Sequence, residues 1–352
     1  MKTSRCGSGR GLRRGAVAVN FQALPWQTNW LAASHELTQA HHHAWIVSGR
    51  DGDGLSAAGA ALAALLLCES PVNSVACGQC GSCKWLAGDA HPDFMRLAPQ
   101  ESDDEVSRLP IIKIDAAREA VEFMQLSAST RRGRVLLVDS ANALSRDSAN
   151  ALLKALEEPP ADTRWLLVSA HPARLLATIR SRALKLRLSR PAQSEALAWL
   201  VEQGMDRPAA ALALAATRGS PLAALAVIQS GGIAATADFL KDLSSPKTLP
   251  TLSWGSWVDS GGKTDRRARF GLLLSLLVDW TADWARVRSG LAPLRFDSHR
   301  DALAKLAQAL PLASALGYHR SLLRQLGVPD TTLSARLQIE GILLDYRTWF
   351  SR

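Results

Sequence analysis

Four of the chain's five cysteines lie in one short segment, CESPVNSVACGQCGSCKWL, and are separated by eight, two and two residues: Cys68, Cys77, Cys80 and Cys83. Glycines between the last three allow tight turns that bring the thiolates together. Four sulfurs at tetrahedral distance are what Zn²⁺ prefers in a structural site, in which the protein fills every coordination position. We therefore predict a structural zinc module. An iron–sulfur cluster and free cysteines are the alternatives.

A second stretch, GRDGDGLS at residues 49–56, matches part of the phosphate-binding frame G-x-x-x-x-G-K-[ST], through Gly49, Gly54 and Ser56. Leu55 stands where the frame has lysine, and leucine cannot reach a β- or γ-phosphate. Asp51 and Asp53 add negative charge where phosphates would sit. The stretch is best interpreted as a glycine turn that begins a helix, so we expect this chain to bind no ATP.

The strand candidate RVLLVDS, residues 134–140, carries Asp139 where nucleotide-hydrolysing enzymes keep a metal-binding aspartate. The next residue is Ser140, where many of these enzymes place a catalytic glutamate. Asp139 is therefore predicted to be a remnant that orients its neighbours. Spacing reveals no Ser/His/Asp or Cys/His arrangement for nucleophilic catalysis. The run His41, His42 and His43 is interpreted as a polar segment before a strand, with a weak metal site as the alternative.

The elements that must position these residues alternate between strand and helix from about residue 44 to 188. Strands are predicted at 44–49, 93–99, 134–140, 164–170 and 183–189, and helices at 54–68, 114–127 and 146–160. Several of these strands are apolar on both faces, which is typical of parallel sheets. The pattern predicts a three-layer α/β domain with a mainly parallel, five-stranded sheet.

After Pro191 the sequence becomes helical throughout. Short helices are predicted near 192–203, 207–216 and 221–229, loops at 244–250 and 259–265, and further helices near 299–312 and 333–350. The stretch 266–288 is interpreted as a long amphipathic helix. Trp280 and Trp284 lie one turn apart on it, and we expect them to pack in a core, with an interface role as the alternative.

The charge is unevenly distributed along the chain. Of the 41 basic residues, five lie within residues 1–20, which contain no acid, so the net charge of +9 falls to +4 for the rest. Residues 1–20, including Cys6, are interpreted as a disordered leader. A twin-arginine export signal at Arg13 and Arg14 is the weaker alternative. No apolar run reaches the length of a membrane span, and we expect a cytoplasmic protein. A body charge of +4 is weak support for direct DNA binding.

Three further stretches carry a family resemblance: HPDF (91–94), SANALLKALEEPP (148–160) and LLATIRSRA (175–183). Together with the cysteine spacing, they resemble the bacterial clamp-loader subunits of the AAA+ class. The degenerate phosphate loop is similar to that of the delta-prime type within DNA polymerase III. The resemblance covers residues 21–352 and is strongest over 45–190. Ala183 departs from it, because cysteine is usual there.

The resemblance implies an AAA+ α/β domain (21–189) with the zinc module (68–90) inserted, a helical lid (190–240) and an all-α collar (241–352). It implies an ATPase-inactive stator, partnered by the motor subunits gamma or tau and by delta in a five-subunit complex. That complex loads the sliding clamp onto primer-template DNA. Arg182, preceded by Ser181, would be the arginine finger that completes a neighbour's ATP site, where it would stabilise charge on the γ-phosphate.

Two other functions are kept open from the residues. One is a working ATPase with an unusual phosphate loop, against which Leu55 and Ser140 argue. The other is a zinc-dependent DNA-binding module, for which Lys84 is the sole basic residue near the cysteines. No polymerase site is recognisable, and whether the chain has any enzymatic activity of its own is left open. Glu157 and Glu158 are expected to end a helix, and Arg180 to be a surface charge.

Overall fold

A parallel sheet of five strands lies in the N-terminal half of the computed structural model, which describes residues 21–38, 42–99, 111–260, 262–326 and 334–350. The predicted leader (1–20) and His41 lie outside these residues. The strand order is β2-β3-β4-β1-β5, and every pairing is parallel. The strands are β1 (Ala44–Ser48), β2 (Phe94–Leu97), β3 (Arg134–Val138), β4 (Thr163–Ser169) and β5 (Leu184–Arg187).

Helices cover both faces of this sheet, as its apolar strands require. They are α1 (Thr28–Thr38), α2 (Leu55–Leu67), α3 (Gly81–Ala87), α4 (Ile114–Gln125), α5 (Arg146–Glu157) and α6 (Ala177–Arg180). One core forms between the sheet and α1–α2, and a second between the sheet and α4–α5. Gly59 lets α2 pack closely against strand β4 of the sheet, because a Cβ at this position would lie 2.6 Å from Val168 Cγ2. The predicted three-layer α/β fold is confirmed.

Three short helices follow the sheet: α7 (Gln193–Glu202), α8 (Arg207–Ala216) and α9 (Pro221–Gln229). They enclose a small core of their own. Trp26, from the segment before α1, enters this core and meets Trp199 edge to face, with ring centroids 5.5 Å apart. The N-terminal segment therefore ties the α/β part to these helices, which we call the lid helices.

The remaining helices form an all-α part, the collar helices: α10 (Gly232–Leu243), α11 (Thr251–Asp259), α12 (Lys263–Arg288), α13 (Arg300–Ala309), α14 (Leu312–Leu326) and α15 (Ala335–Trp349). The helix α10 crosses the predicted domain boundary at residue 240, and its Phe239 is buried in the collar core. Helices α10, α11 and α14 were not anticipated from the sequence. The predicted loop at 259–265 is shorter than expected, because α12 already begins at Lys263.

Helix α12 is the centre of the collar core. The prediction of an amphipathic helix is wrong, because residues on every side of its central turns are buried. Trp280 and Trp284 are buried in the core, as expected. The Trp280 indole donates to Tyr346 Oη at 3.0 Å, and that hydroxyl donates to the Leu243 carbonyl at 2.9 Å. Tyr346 of α15 therefore links α12 with α10.

Within the described ranges, no single helix is both long and apolar enough to cross a bilayer. The pair α8 and α9 meets the requirement together by length and composition, with a bend of 115° between the two helices.

Candidate functional site

The four cysteines of the predicted zinc module come together in space. Their sulfurs all lie within 4.8 Å of one another, with 3.9 Å from Cys68 Sγ to Cys80 Sγ and from Cys77 Sγ to Cys83 Sγ. Sulfurs at the corners of a zinc tetrahedron, with bonds of about 2.3 Å, are about 3.8 Å apart. The set can therefore bind a metal ion and is consistent with zinc.

Local backbone geometry builds this cluster. Cys68 follows the last residue of α2, and Cys80 is the N-cap of α3, where its sulfur accepts from the Cys83 N–H. The Cys68 sulfur accepts from the Cys77 N–H at 3.3 Å, and the Cys77 sulfur accepts from the Cys80 N–H at 3.3 Å. Glu69 Oε1 accepts from the Ser82 amide and hydroxyl, which fixes the start of α3.

The surroundings act differently on the individual thiols. Hydrogen bonds from the Gln79 and Cys80 N–H groups lower the pKa of Cys77 to about 6. Burial raises the pKa of Cys68 and of Cys83. A divalent cation would offset that penalty, because it binds and stabilises the thiolate form. The four cysteine sulfurs are therefore suited to binding a divalent cation, which would hold the module together.

Two other parts of the chain contact the segment that matches a phosphate loop. Asp53 is buried, and its Oδ1 accepts from the Ser220 hydroxyl of the lid at 2.6 Å. The Gly52 carbonyl accepts from the Leu222 N–H at 3.0 Å. From the N-terminal segment, the Trp26 indole donates to the Asp53 carbonyl at 2.9 Å. The loop is therefore held by the lid and by the chain's own N-terminal segment.

Leu55 stands where the phosphate-binding frame has lysine, whereas Gly54 fits the frame. Leu55 is buried in the core around α2 and also lines the cavity beside the loop, where its apolar side chain has no charge to offer a phosphate. Gly54 has φ of +84° and accepts a hydrogen bond from Gln27 Nε2 at 2.8 Å, and a Cβ there would lie 2.4 Å from Leu24 Cδ1. A cavity of about 540 Å³ remains beside the loop, lined by Gly54, Ser56 and Asn142 among others.

Asp139 accepts hydrogen bonds from two neighbouring side chains. Its Oδ1 accepts from the Ser56 hydroxyl at 2.5 Å, and its Oδ2 accepts from Arg96 Nε at 3.0 Å. The Arg96 guanidinium thus supplies positive charge at the carboxylate that would hold a metal ion in a nucleotide-hydrolysing enzyme. Sequence reasoning missed Arg96, although it lies in β2, the strand that pairs with β3 ahead of Asp139.

The motif HPDF contains a buried carboxylate. Asp93 accepts from the N–H groups of Ser129 and Thr130 at 2.8 and 2.7 Å, and lies 3.5 Å from Arg134. Burial raises the pKa of Asp93, but these hydrogen bonds and Arg134 outweigh it and hold the pKa below its ordinary value. His91 Nδ1 accepts from the Asp93 N–H at 3.0 Å. The motif anchors the loop between α4 and β3.

Arg182 lies on an exposed turn after α6. Its guanidinium donates to the Thr178 carbonyl at 3.0 Å and lies 2.7 Å from Glu157 Oε1. About a third of the Arg182 side chain is exposed, and Ser181 beside it is exposed as well. Ala183 is buried beneath the turn in the core of the sheet. Arg182 does not line the cavity beside the chain's own phosphate loop.

Sequence comparisons identify the family. A family model described as DNA polymerase III, delta subunit, matches residues 28–192. DNA polymerase III subunit delta′ of Pseudomonas aeruginosa is 32% identical over 321 residues, which cover 90% of each chain. The delta′ subunit of Escherichia coli is 35% identical over 250 residues, which cover 71% of this chain and 72% of that protein.

The chain belongs to the delta′ family of DNA polymerase III subunits. The resemblance seen in its motifs is thereby confirmed. Escherichia coli DNA polymerase III subunit tau is 35% identical over 147 residues, covering 42% of this chain and 22% of that protein. A crystal structure of a gamma subunit-related protein from Thermotoga maritima covers 92% of this chain and 99% of its own, with 16% identity and a TM-score of 0.42.

For this delta′ family member, the structure assembles some predicted site residues and separates others. The four cysteines meet, as do Ser56 and Asp139. The histidine run does not join a metal-binding group within the described residues, and His43 Nε2 instead donates to the Leu156 carbonyl at 2.8 Å. Arg180, expected to be a surface charge, is half-buried, and its Nε has no described hydrogen-bond partner.

Proposed function

We propose that this delta′ family chain is the ATPase-inactive stator of a clamp loader and supplies Arg182 to the ATP site of an adjacent motor subunit. The observation that carries the proposal is a contrast between two sites. The chain's own phosphate loop is held by Ser220, Trp26 and Gln27, whereas Arg182 lies on an exposed turn outside that loop's cavity.

The contacts of the lid support a stator that keeps its shape. Ser220 binds Asp53 in the α/β part, and the neighbouring Arg218 binds Asp279 of α12 through two contacts of 2.9 Å. The lid is therefore attached to the α/β part and to the collar at adjacent positions. A rigid connection of this kind would hold the Arg182 turn in a fixed position relative to the collar.

We infer the partners of this chain from its family. The sequence likeness to tau supports assembly with the motor subunits gamma or tau, and we propose delta as the further subunit. The complex would load the sliding clamp onto primer-template DNA in the bacterial cytoplasm, with DNA contacts made through the assembly. In this proposal the cysteines hold a structural Zn²⁺, which shapes the module between α2 and β2 and takes no part in chemistry.

The proposal is tested by measuring ATP hydrolysis by a reconstituted clamp loader. This chain, gamma or tau, and delta are mixed in defined amounts, and DNA- and clamp-stimulated ATP hydrolysis is measured with wild-type chain and with Arg182→Ala. Loss of hydrolysis in a complex that still assembles supports the proposal. Unchanged hydrolysis would leave the chain as a scaffold without a finger. Binding of labelled ATP by the isolated chain would instead favour the competing function, an ATPase with an unusual loop.

A further inference from the structure

A cavity of about 590 Å³ lies where the α/β part, the lid helices and the collar helices meet. Arg50 of the phosphate-loop segment forms one wall, Ala226 of α9 another, and Trp257 and Leu272 of the collar a third. Its volume is within the range of small-molecule sites, roughly 300–1,000 Å³. We call it the junction cleft.

The walls of the junction cleft are built mostly from small residues. Four alanines, one on α8, two on α9 and one on α12, leave the space open: Ala216, Ala223, Ala226 and Ala268. The Trp257 ring closes one side, and the Arg269 guanidinium carbon lies 5.1 Å from its centroid. The Nε atom of Arg269 is buried without a described hydrogen-bond partner. A flat or apolar body could therefore pack against these walls.

Three arginines line the cleft, Arg50, Arg218 and Arg269, and Arg50 differs from the other two in its contacts. The half-buried Arg50 side chain forms no hydrogen bond or ion pair within the part of the chain that the structure describes. Asp53 is the carboxylate whose charge acts on Arg50, and it already accepts from Ser220 and lies 4.0 Å from Arg190. Burial, followed by repulsion from Arg190, lowers the pKa of Arg50 below its ordinary value. The guanidinium charge is therefore only partly compensated by the protein.

Other charged groups around the cleft are already engaged. Asp279 binds both Arg218 and Arg295. Asp51 and Asp265 lie at the exposed rim, and Asp265 Oδ2 accepts from the Gly262 N–H. These two carboxylates would repel an anion at the entrance, but neither forms an ion pair with Arg50. An anionic group that reaches Arg50 would meet a cation with free donors.

We propose that the junction cleft binds a small organic anion, with its anionic group on Arg50 and its flat or apolar body against Trp257 and the alanine walls. The occupant is thus a small molecule with one sulfonate, carboxylate or phosphate. This inference is independent of the arginine-finger role, because Arg182 does not line the cleft.

The probe is 8-anilinonaphthalene-1-sulfonate, which has an aromatic body and one anionic group. Fluorescence titration of the full chain is expected to show saturable binding of one probe per chain. Arg50→Ala should weaken it by about tenfold, the loss expected for one charge-assisted hydrogen bond. Ala226→Leu, at an exposed lid position in the cleft wall, should also weaken it, because the larger side chain narrows the space for the aromatic body. Arg207→Ala, an exposed lid arginine outside the cleft, is the matched control and should bind as wild type.

Each variant is first checked by circular dichroism and thermal unfolding. If Arg50→Ala fails to fold, the proposal is tested by Ala226→Leu alone. This variant is expected to fold, because residue 226 lies on an exposed helix face. Non-saturable binding to the wild-type chain, or binding to Ala226→Leu that is as tight as binding to the wild type, would overturn the proposal. Equal weakening by Arg50→Ala and Arg207→Ala would overturn it as well, since binding would then follow net charge.

Discussion

Arg182 and Glu157 form an ion pair, with 2.7 Å between a guanidinium nitrogen and Oε1. The pair joins two of the motifs that carried the family resemblance, because Glu157 ends α5 and Arg182 follows α6. Both side chains are more than a third exposed, and such surface pairs are worth about 0–1 kcal/mol. Glu157 therefore orients Arg182 at little energetic cost, and the guanidinium can leave it for a stronger anion such as a neighbour's nucleotide.

Arg182→Ala should reduce the stimulated ATPase of the reconstituted loader strongly. Arginine fingers contribute roughly 10³–10⁵ in rate in the best cases, and we expect a loss of at least about tenfold here. The matched control is Arg174→Ala, an exposed arginine eight residues earlier in the same segment. Size-exclusion chromatography checks that both variants assemble. An Arg182→Ala complex as active as the Arg174→Ala complex would contradict the finger.

Glu157→Gln should leave the loader active. It removes the charge that orients Arg182 but keeps the fold, because both partners are partly exposed. The expected change in the free energy of unfolding is below about 1 kcal/mol, measured by urea denaturation. A Glu157→Gln loader as inactive as Arg182→Ala would mean that the pair itself, and not the free guanidinium, is what the neighbour requires.

The cysteine module should contain one zinc ion per chain. Metal analysis of the purified chain measures its content, and visible absorption from an iron–sulfur cluster would contradict zinc. Cys80→Ser removes a ligand, so the metal content should fall and residues 68–90 should become sensitive to protease, since zinc binding stabilises such modules. Cys6→Ser is the matched control, because Cys6 lies outside the cluster in sequence, and it should leave zinc content unchanged.

Asp93→Asn should destabilise the α/β part. The Asp93 carboxylate is buried and accepts two backbone N–H groups beside Arg134, and loss of its charge should cost about 2–3 kcal/mol in urea denaturation at pH 7. Because the folded-state pKa is depressed, the wild-type advantage is complete above the unfolded pKa of about 3.9 and is lost as the pH falls through the folded-state pKa.

The difference between the two chains should therefore be constant from pH 5 to 8 and vanish only under strong acid. Wild type and Asp93→Asn are compared by urea denaturation at several pH values. Asp89→Asn, an exposed carboxylate nearby in the sequence, serves as the control. A difference that already shrinks between pH 7 and 5 would contradict the assignment.

Leu55→Lys should not restore ATP binding by itself. The Leu55 side chain is buried, the loop is bound by Ser220 and Gln27, and Asp139 is bound by Arg96. A lysine at this buried position would either keep its charge in the core, which is costly, or displace the packing around it to reach water. Binding of a fluorescent ATP analogue measures the outcome, and micromolar affinity in the single variant would contradict this account of the loop.

Local sequence patterns predicted the zinc module and most of the α/β domain. The cysteine spacing and the glycines within it act over a few residues, and the strands are marked by short apolar runs. The motif around Arg182 also lies within one stretch of sequence, so it could be recognised without any structure. The helical part was harder to predict, because the central turns of α12 are buried on all sides and short apolar helices have no distinct polar face.

Contacts between residues that are far apart in sequence determined the features that local patterns did not predict. Asp53 and Ser220 are 167 positions apart, Arg96 and Asp139 are 43 apart, and no spacing rule relates either pair. The parallel register of β2 and β3 brings Arg96 to Asp139, and packing of the lid brings Ser220 to Asp53. The sequence by itself determined which residues could do chemistry. The tertiary structure decided their partners, because folding alone fixes which charges share a buried space.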